Sequence, residues 1–135
     1  MKVDGACFCG HVQYEAEVDP GKVALCHCTD CQINSGSVMG WVVAVVDDRF
    51  ELKSGTLKTF VKTAESGRRR ALGFCAECGT RIVAKPVEGE QGITSLRAGS
   101  VRQRAQLRPR AHLWARSAVP WIDELQKLPK LDQQR

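Results

Sequence analysis

Residues 11–18 read HVQYEAEV. In an extended chain successive side chains point to opposite faces. Val12, Tyr14, Ala16 and Val18 therefore share one face, and Gln13, Glu15 and Glu17 the other. This is the pattern of a half-buried strand. Asp19-Pro20-Gly21 is expected to end it in a turn. Downstream, WVVAVV at 41–46 is a short unbroken apolar run, expected as a strand buried on both faces. Arg49–Lys53, Leu57–Thr63, Arg70–Cys75, Arg81–Lys85, Ile93–Ala98 and Arg110–Arg116 read as further short strands. Glycines and polar clusters separate them, as at Ser54-Gly55, Ser66-Gly67 and Glu88–Gly92. Many short strands punctuated by turn signals make an all-β fold the expectation.

Two helical pieces interrupt the strands. Thr29-Asp30-Cys31-Gln32 has the capping-box pattern, with Thr29 as N-cap and Gln32 at the third helical position. Gly36 then suits the residue that closes a helix of one to two turns. Near the C-terminus Pro120 suits a first helical position. Trp121, Leu125 and Leu128 follow at i, i+4 and i+7, expected to be a packing face.

A chain of 135 residues lies within the usual size of one domain. It can bury roughly two-thirds of its unfolded surface, so it needs no disulfides to hold a core. No repeat, low-complexity tract or linker divides it, and residues 1–135 are expected to form a single domain. Hydrophobic residues at 43% and charged residues at 26% are ordinary for a soluble protein. No apolar run approaches the roughly 20 residues that span a bilayer. The opening MKVDGACFCG lacks the apolar segment of a secretory signal. The expected location is the cytoplasm, with no membrane partner.

Flanking the first strand are CFCG at 7–10 and CHCTDC at 26–31; FCAECG follows at 74–79. These hold all seven cysteines: Cys7, Cys9, Cys26, Cys28, Cys31, Cys75 and Cys78. An odd number cannot pair fully, and cytoplasmic thiols are normally reduced. Tight clusters in a reducing compartment point to metal. Cys75-Ala76-Glu77-Cys78-Gly79 has the form of a zinc-knuckle turn, its glycine free to adopt positive φ beside the thiolates. A redox reading of this CxxC is weak because no βαβ pattern surrounds it. If Cys7 and Cys9 lie in a strand they face one way, as do Cys26 and Cys28. His27 then points to the opposite side and is read as a supporting or packing residue rather than a ligand.

A structural zinc takes four ligands; a catalytic zinc has three from the protein and one open position. Seven cysteines divide as four plus three. Soft thiolates suit zinc or, as a second choice, an iron–sulfur cluster. Spacing alone leaves the grouping open: Cys9 and Cys26 are separated by a common ribbon spacing, which would join the first two clusters and leave Cys31 with Cys75 and Cys78.

CFCGHVQYEAEV, CHCTDCQINSGS and FCAECGTRIV follow one another as they do in the glutathione-dependent formaldehyde-activating enzyme family, and the ending RPRAHLWARSAVPWI resembles that family's C-terminal region. The resemblance implies small packed antiparallel sheets around a structural zinc. It implies two zinc ions per chain: Cys7, Cys9, Cys75 and Cys78 match the structural ligands, and Cys26, Cys28 and Cys31 the catalytic ones. The reaction it implies joins glutathione to formaldehyde as S-(hydroxymethyl)glutathione, classed in reverse as a carbon–sulfur lyase. Glutathione carries two carboxylates, for which arginines are the natural partners; the sequence does not say which.

The resemblance extends to a chromatin-associated centromere protein, so the fold alone does not imply an enzyme. The alternatives are a zinc-stabilised binding module for nucleic acid or protein, and a metal-trafficking or redox protein. A net charge of +5 allows attraction of anions. Aromatics make up only 6% of the chain and do not interleave with the basic residues, which disfavours nucleic acid.

Overall fold

The computed structural model describes residues 1–134. The chain builds β1 (Lys2–Ala6), β2 (Gln13–Cys26), a short helix α1 (Thr29–Ser35), β3 (Gly40–Ser54), β4 (Leu57–Thr63), β5 (Arg69–Cys75), β6 (Arg81–Pro86), β7 (Ser95–Arg97) and β8 (Ala111–Leu113). The all-β expectation holds. The strands hydrogen-bond in the order β1-β2-β3-β7-β6-β5-β4, antiparallel throughout. β8 alone runs parallel, pairing the last residues of β2. β1 and β8 thus share one edge of β2, β1 along its first half and β8 at its end.

The alternation at the start of β2 is realised. Val12, Tyr14, Ala16 and Val18 are buried, while Gln13 and Glu15 are exposed. Asp19-Pro20-Gly21 does not end the strand as expected. It forms a bulge within β2, where Gly21 N–H donates to Asp19 Oδ1 at 2.9 Å. Proline has no N–H for a ladder, so a bulge is where a strand tolerates it. The opposite strand bends to match. Asp47 and Asp48 both take left-handed backbone, at φ 46° and 55°, and join the two short strands expected there into β3. Aspartate tolerates this region because its short side chain bonds locally; Asp48 Oδ1 accepts from Thr94 Oγ1 at 2.6 Å. Residues 41–46 are not buried on both faces: Val43 and Val45 are buried, while Trp41, Val42, Ala44 and Val46 are half-covered.

The core gathers Tyr14, Val18, Val43, Ile82, Leu96 and Val101. Each such aliphatic contributes about 1.5–3 kcal/mol on burial. The Tyr14 hydroxyl meets Ser100 Oγ at 2.7 Å, so its polar tip is satisfied. Cys7 and Cys75 belong to the same cluster.

The C-terminal piece differs from expectation. Residues Ile122–Lys127 form a 3-10 helix, and Trp121 and Leu128 are 46% and 59% exposed. Three residues per turn do not align positions i, i+4 and i+7 on one face. The expected packing stripe is not formed.

Gly55 shows how tightly the β3–β4 turn is pressed on the first cysteine loop. Its φ is +83°, and a Cβ there would overlap the backbone of His11 and Val12. Around it Ser54 Oγ donates to the His11 carbonyl at 3.3 Å and Thr56 N–H to His11 Nε2 at 3.1 Å. Backbone cannot yield as a side chain can. Gly55→Ala is expected to destabilise the protein by about 1–3 kcal/mol from overpacking, with further cost from positive φ. A thermal melt showing an unchanged midpoint would refute this account.

Candidate metal centres

The structure gathers the seven cysteines into two groups. The sulfurs of Cys7, Cys9, Cys75 and Cys78 all lie within 4.8 Å of one another, and so do those of Cys26, Cys28 and Cys31. The alternative grouping that spacing left open, first cluster with second, is not what the fold builds.

In the four-sulfur group, Cys7 follows β1 and Cys75 ends β5. Cys7 and Cys9 are not on a strand as expected. They converge through a turn in which Gly10, at φ 81°, donates to the Cys7 carbonyl at 3.2 Å. The second turn is built alike: Gly79, at φ 77°, donates to the Cys75 carbonyl at 2.9 Å. Backbone N–H groups point at the sulfurs. Val12 donates to Cys7 Sγ at 3.2 Å, and Glu77 and Cys78 to Cys75 Sγ at 3.4 Å each. Such bonds favour the thiolate and orient it. The Cys7–Cys9 and Cys9–Cys75 sulfur separations are 3.6 and 3.8 Å. Four thiolates at tetrahedral angles and 2.3 Å from an ion would lie roughly 3.8 Å apart. The spacing and donor set therefore fit a tetrahedral metal ion.

The three-sulfur group is assembled where β2 hands over to α1. Cys26 is the last residue of β2, and Cys28 is the N-cap of α1: its Sγ accepts Cys31 N–H at 3.1 Å. The expected cap, Thr29, is instead the first helical residue. Gln32 does not complete a capping box; its Nε2 donates to the carbonyls of His27 and Ser117. One sulfur thus serves as helix cap and as candidate ligand. Gly36 closes the helix in left-handed conformation, as expected.

Two residues the sequence did not flag complete this site. Arg97, on β7, brings Nη1 to 4.0 Å from Cys31 Sγ. Gly40, the first residue of β3, lies so close that a Cβ would sit 3.2 Å from Arg97 Nη1 and 3.5 Å from Cys31 Sγ. Hydrogen bonding from Cys26 pulls the Cys31 thiol down to about 5, with Cys28 and Arg97 acting in the same direction. Hydrogen bonding with Cys31 pushes Cys26 the other way.

Unlike the four-sulfur group, this one has three cysteine donors, and one of them, Cys28, lines a cavity of about 330 Å³. Cys28, Thr29, Asp30, Lys62, Trp114 and Ser117 are among its walls. Arg116 lies 4.9 Å from the Trp114 ring centre and pairs with Glu65 at 2.6 Å.

His27 is buried and turned away from the sulfurs, as expected. Its Nε2 lies 2.8 Å from His112 Nδ1, and its backbone N–H donates to the Leu113 carbonyl at 2.9 Å. Burial, with His112 beside it, pushes its pKa down, so it is neutral at pH 7. The two contacts fasten β8 to the end of β2. Of the consecutive arginines 68–70, Arg69 pairs with Glu90, and Arg70 donates to the carbonyls of Ala84 and Ile93.

No described helix is long and apolar enough to cross a membrane. No curated protein matches the chain. A crystal structure of a Rhodobacter sphaeroides protein is similar over 81% of this chain and 98% of that one, with a TM-score of 0.57 and 14% identity. At that identity the likeness speaks to the fold alone. The family profile described as glutathione-dependent formaldehyde-activating enzyme matches residues 2–117, and the chain belongs to that family.

Proposed function

We propose that this protein is a zinc-dependent carbon–sulfur lyase-type enzyme of the cytoplasm, acting on a glutathione–aldehyde adduct such as S-(hydroxymethyl)glutathione. The observation that carries this reading is the contrast between the two sulfur groups. One offers four donors and its first and third cysteines lie in the core; the other offers three, with Cys28 in the wall of a cavity. A closed set of four suits a structural ion, and a set of three leaves a position for substrate. Cys7, Cys9, Cys75 and Cys78 are the structural ligands, and Cys26, Cys28 and Cys31 the catalytic ones.

Zinc bound by the three cysteines would supply a Lewis acid that keeps a fourth, incoming thiol deprotonated near neutral pH. The chain's own residues set up the rest. Arg97 and the Cys31 N–H compensate the sulfur charge, and Gly40 leaves room for the guanidinium to reach it. The cavity walls hold the two reactants together, which lowers the entropic cost of their encounter. In the addition, the thiol sulfur forms a bond to the carbonyl carbon. The π pair moves to oxygen, which takes up a proton equivalent to the one the thiol released. The lyase direction breaks the same carbon–sulfur bond and returns the proton.

Protein prepared without chelator and resupplied with zinc is expected to hold two ions per chain by elemental analysis. Cys78→Ser should abolish or greatly reduce folded protein, because a structural zinc contributes on the order of 10 kcal/mol to folding. Whole-domain stability is only roughly 5–15 kcal/mol. Cys31→Ser should stay folded, hold one zinc and lose activity. If Cys31→Ser unfolds as badly as Cys78→Ser, both sites are structural.

Glutathione is expected to bind the wild-type chain and fail to bind Cys31→Ser, with weaker binding at higher salt because its carboxylates meet a basic protein. Calorimetry showing no binding at millimolar concentration would remove the enzyme reading. Nucleic-acid binding with a steep salt slope would favour a binding module.

Arg97→Leu tests the charge balance at Cys31. Arg97 helps to lower the Cys31 pKa, so between about 5 and the ordinary thiol range the wild-type sulfur is charged. Loss of the guanidinium raises that pKa and shrinks the thiolate fraction at pH 6. With the three-cysteine site emptied, iodoacetamide should label Cys31 more slowly in Arg97→Leu at pH 6 and equally at pH 9. Equal rates at pH 6, read by mass spectrometry, would show that Arg97 does not act on this sulfur.

A further inference from the structure

A second cavity adjoins the one at Cys28 and has no part in the reading above. It measures about 410 Å³ and lies where α1 faces β4 and β5. Phe60 on β4 is the cross-strand partner of Leu72 on β5, and Phe74 stands two residues further along the same face. With Ile33 of α1 they make an apolar trough. Ile33 is 76% and Phe60 64% exposed. A cation stands at each end. Lys62 pairs with Asp30 at 2.8 Å, and both residues also wall the cavity at Cys28. Arg81 sits beside Asn34, one helical turn or about 6 Å along α1. Its guanidinium lies 4.7 Å over the Phe74 ring, and Nε donates to the Asn34 carbonyl at 3.2 Å. Its terminal amino groups meet no protein acceptor among the described residues.

This arrangement selects a chemistry. A guanidinium laid on an aromatic ring keeps its outer N–H edge in the plane that suits a carboxylate. The apolar floor between the two cations suits an aryl or alkyl body. The shared Asp30–Lys62 wall points the other end of such a molecule toward the cavity that Cys28 lines. We propose that this groove binds the carbonyl substrate's body, so that the electrophile is an aryl- or alkyl-aldehyde ending in a carboxylate and not formaldehyde alone. The carboxylate lies on Arg81, the apolar body on Phe60 and Phe74, and the carbonyl carbon reaches past Asp30 and Lys62 to the thiol at the three-cysteine site. The assignment rests on that site being the place of thiol addition. The step is the one already balanced: one carbon–sulfur bond forms, the π pair goes to oxygen, and no oxidant or reductant enters.

The groove can be tested apart from the reaction. The probe is 4-phenylbutyrate, which has the apolar body and carboxylate but no carbonyl to react. In titration calorimetry with the zinc-loaded full chain it should bind, and 4-phenylbutyramide should bind about tenfold more weakly or not at all, because it lacks the charge that Arg81 recognises. Phe60→Ser, at an exposed position, should keep the wild-type melt and glutathione binding but lose roughly tenfold in affinity for the probe. Arg81→Gln, which retains a donor for Asn34, should remove the preference for the acid over the amide. No probe binding at millimolar concentration, or equal affinity in wild type and Phe60→Ser, overturns the proposal. So does a dimer in sedimentation that Phe60→Ser dissolves, since a second copy would then cover the groove. If the probe binds as described but glutathione binds no form of the chain, the thiol-addition reading falls and the groove stands as an acid-binding site only.

Discussion

Cys7 follows β1, the first strand in the hydrogen-bonded order, and Cys75 ends β5, the next to last. Their sulfurs nevertheless lie within 4.8 Å. A flat sheet in that order would hold them several strand widths apart, and strands are spaced about 4.8 Å. The sheet must therefore curl until its two ends meet, and the four-sulfur cluster is the clasp. The bulges in β2 and β3 supply the bend. Asp19–Lys22 interrupts one strand and Val46–Arg49 the other, each opposite a single residue of its partner. The β3–β4 turn then presses onto the first cysteine loop, with glycine at the contact because only a residue without Cβ fits there.

The second sulfur group depends on this curl without contributing to it. Once β2 and β3 are fixed, β7 comes to lie on β3 with Arg97 opposite Val42. That register carries the guanidinium across Gly40 to Cys31. From the other side, β8 docks on the end of β2, held by the His27–His112 pair and the Leu113 carbonyl. Trp114 follows directly, in left-handed backbone at φ 54°, and walls the cavity. The three-sulfur site is thus framed by strands β2, β3, β7 and β8, while its own cysteines occupy one strand end and one short helix. A set of three donors held within such a frame has its geometry fixed by the strands around it.

Charge is distributed in the same spirit. Much of the basic surface is engaged in ion pairs or carbonyl contacts with other parts of the chain, as at Arg49, Arg69, Arg70 and Arg102. The cations that face the open site and its adjoining groove are Arg97, Lys62 and Arg81, drawn from β7, β4 and β6. No run or cluster in the sequence unites them. The net charge of +5 therefore says little about function, and the three placed cations say much more.

Local sequence determined what depends on near neighbours. Alternation from Val12 to Val18 set a strand face; Gly36 closed α1; Gly79 shaped the turn of the Cys75–Cys78 pair; three cysteine clusters set a count of four plus three. Each of these is a relation within a few residues, where backbone geometry leaves few choices. The same reasoning failed where a distant partner decides. Asp19-Pro20-Gly21 became a bulge because β3 continues past it and holds β2 extended on both sides. Cys28 displaced Thr29 as helix cap because β2 delivers it to the helix start beside Cys26. The grouping of cysteines, which spacing left open, the reach of Arg97 to Cys31 and the trough between α1 and β5 were settled by tertiary structure. Those residues meet because a curled sheet brings the ends of its strand order together, and spacing along a chain does not encode the distance across a fold.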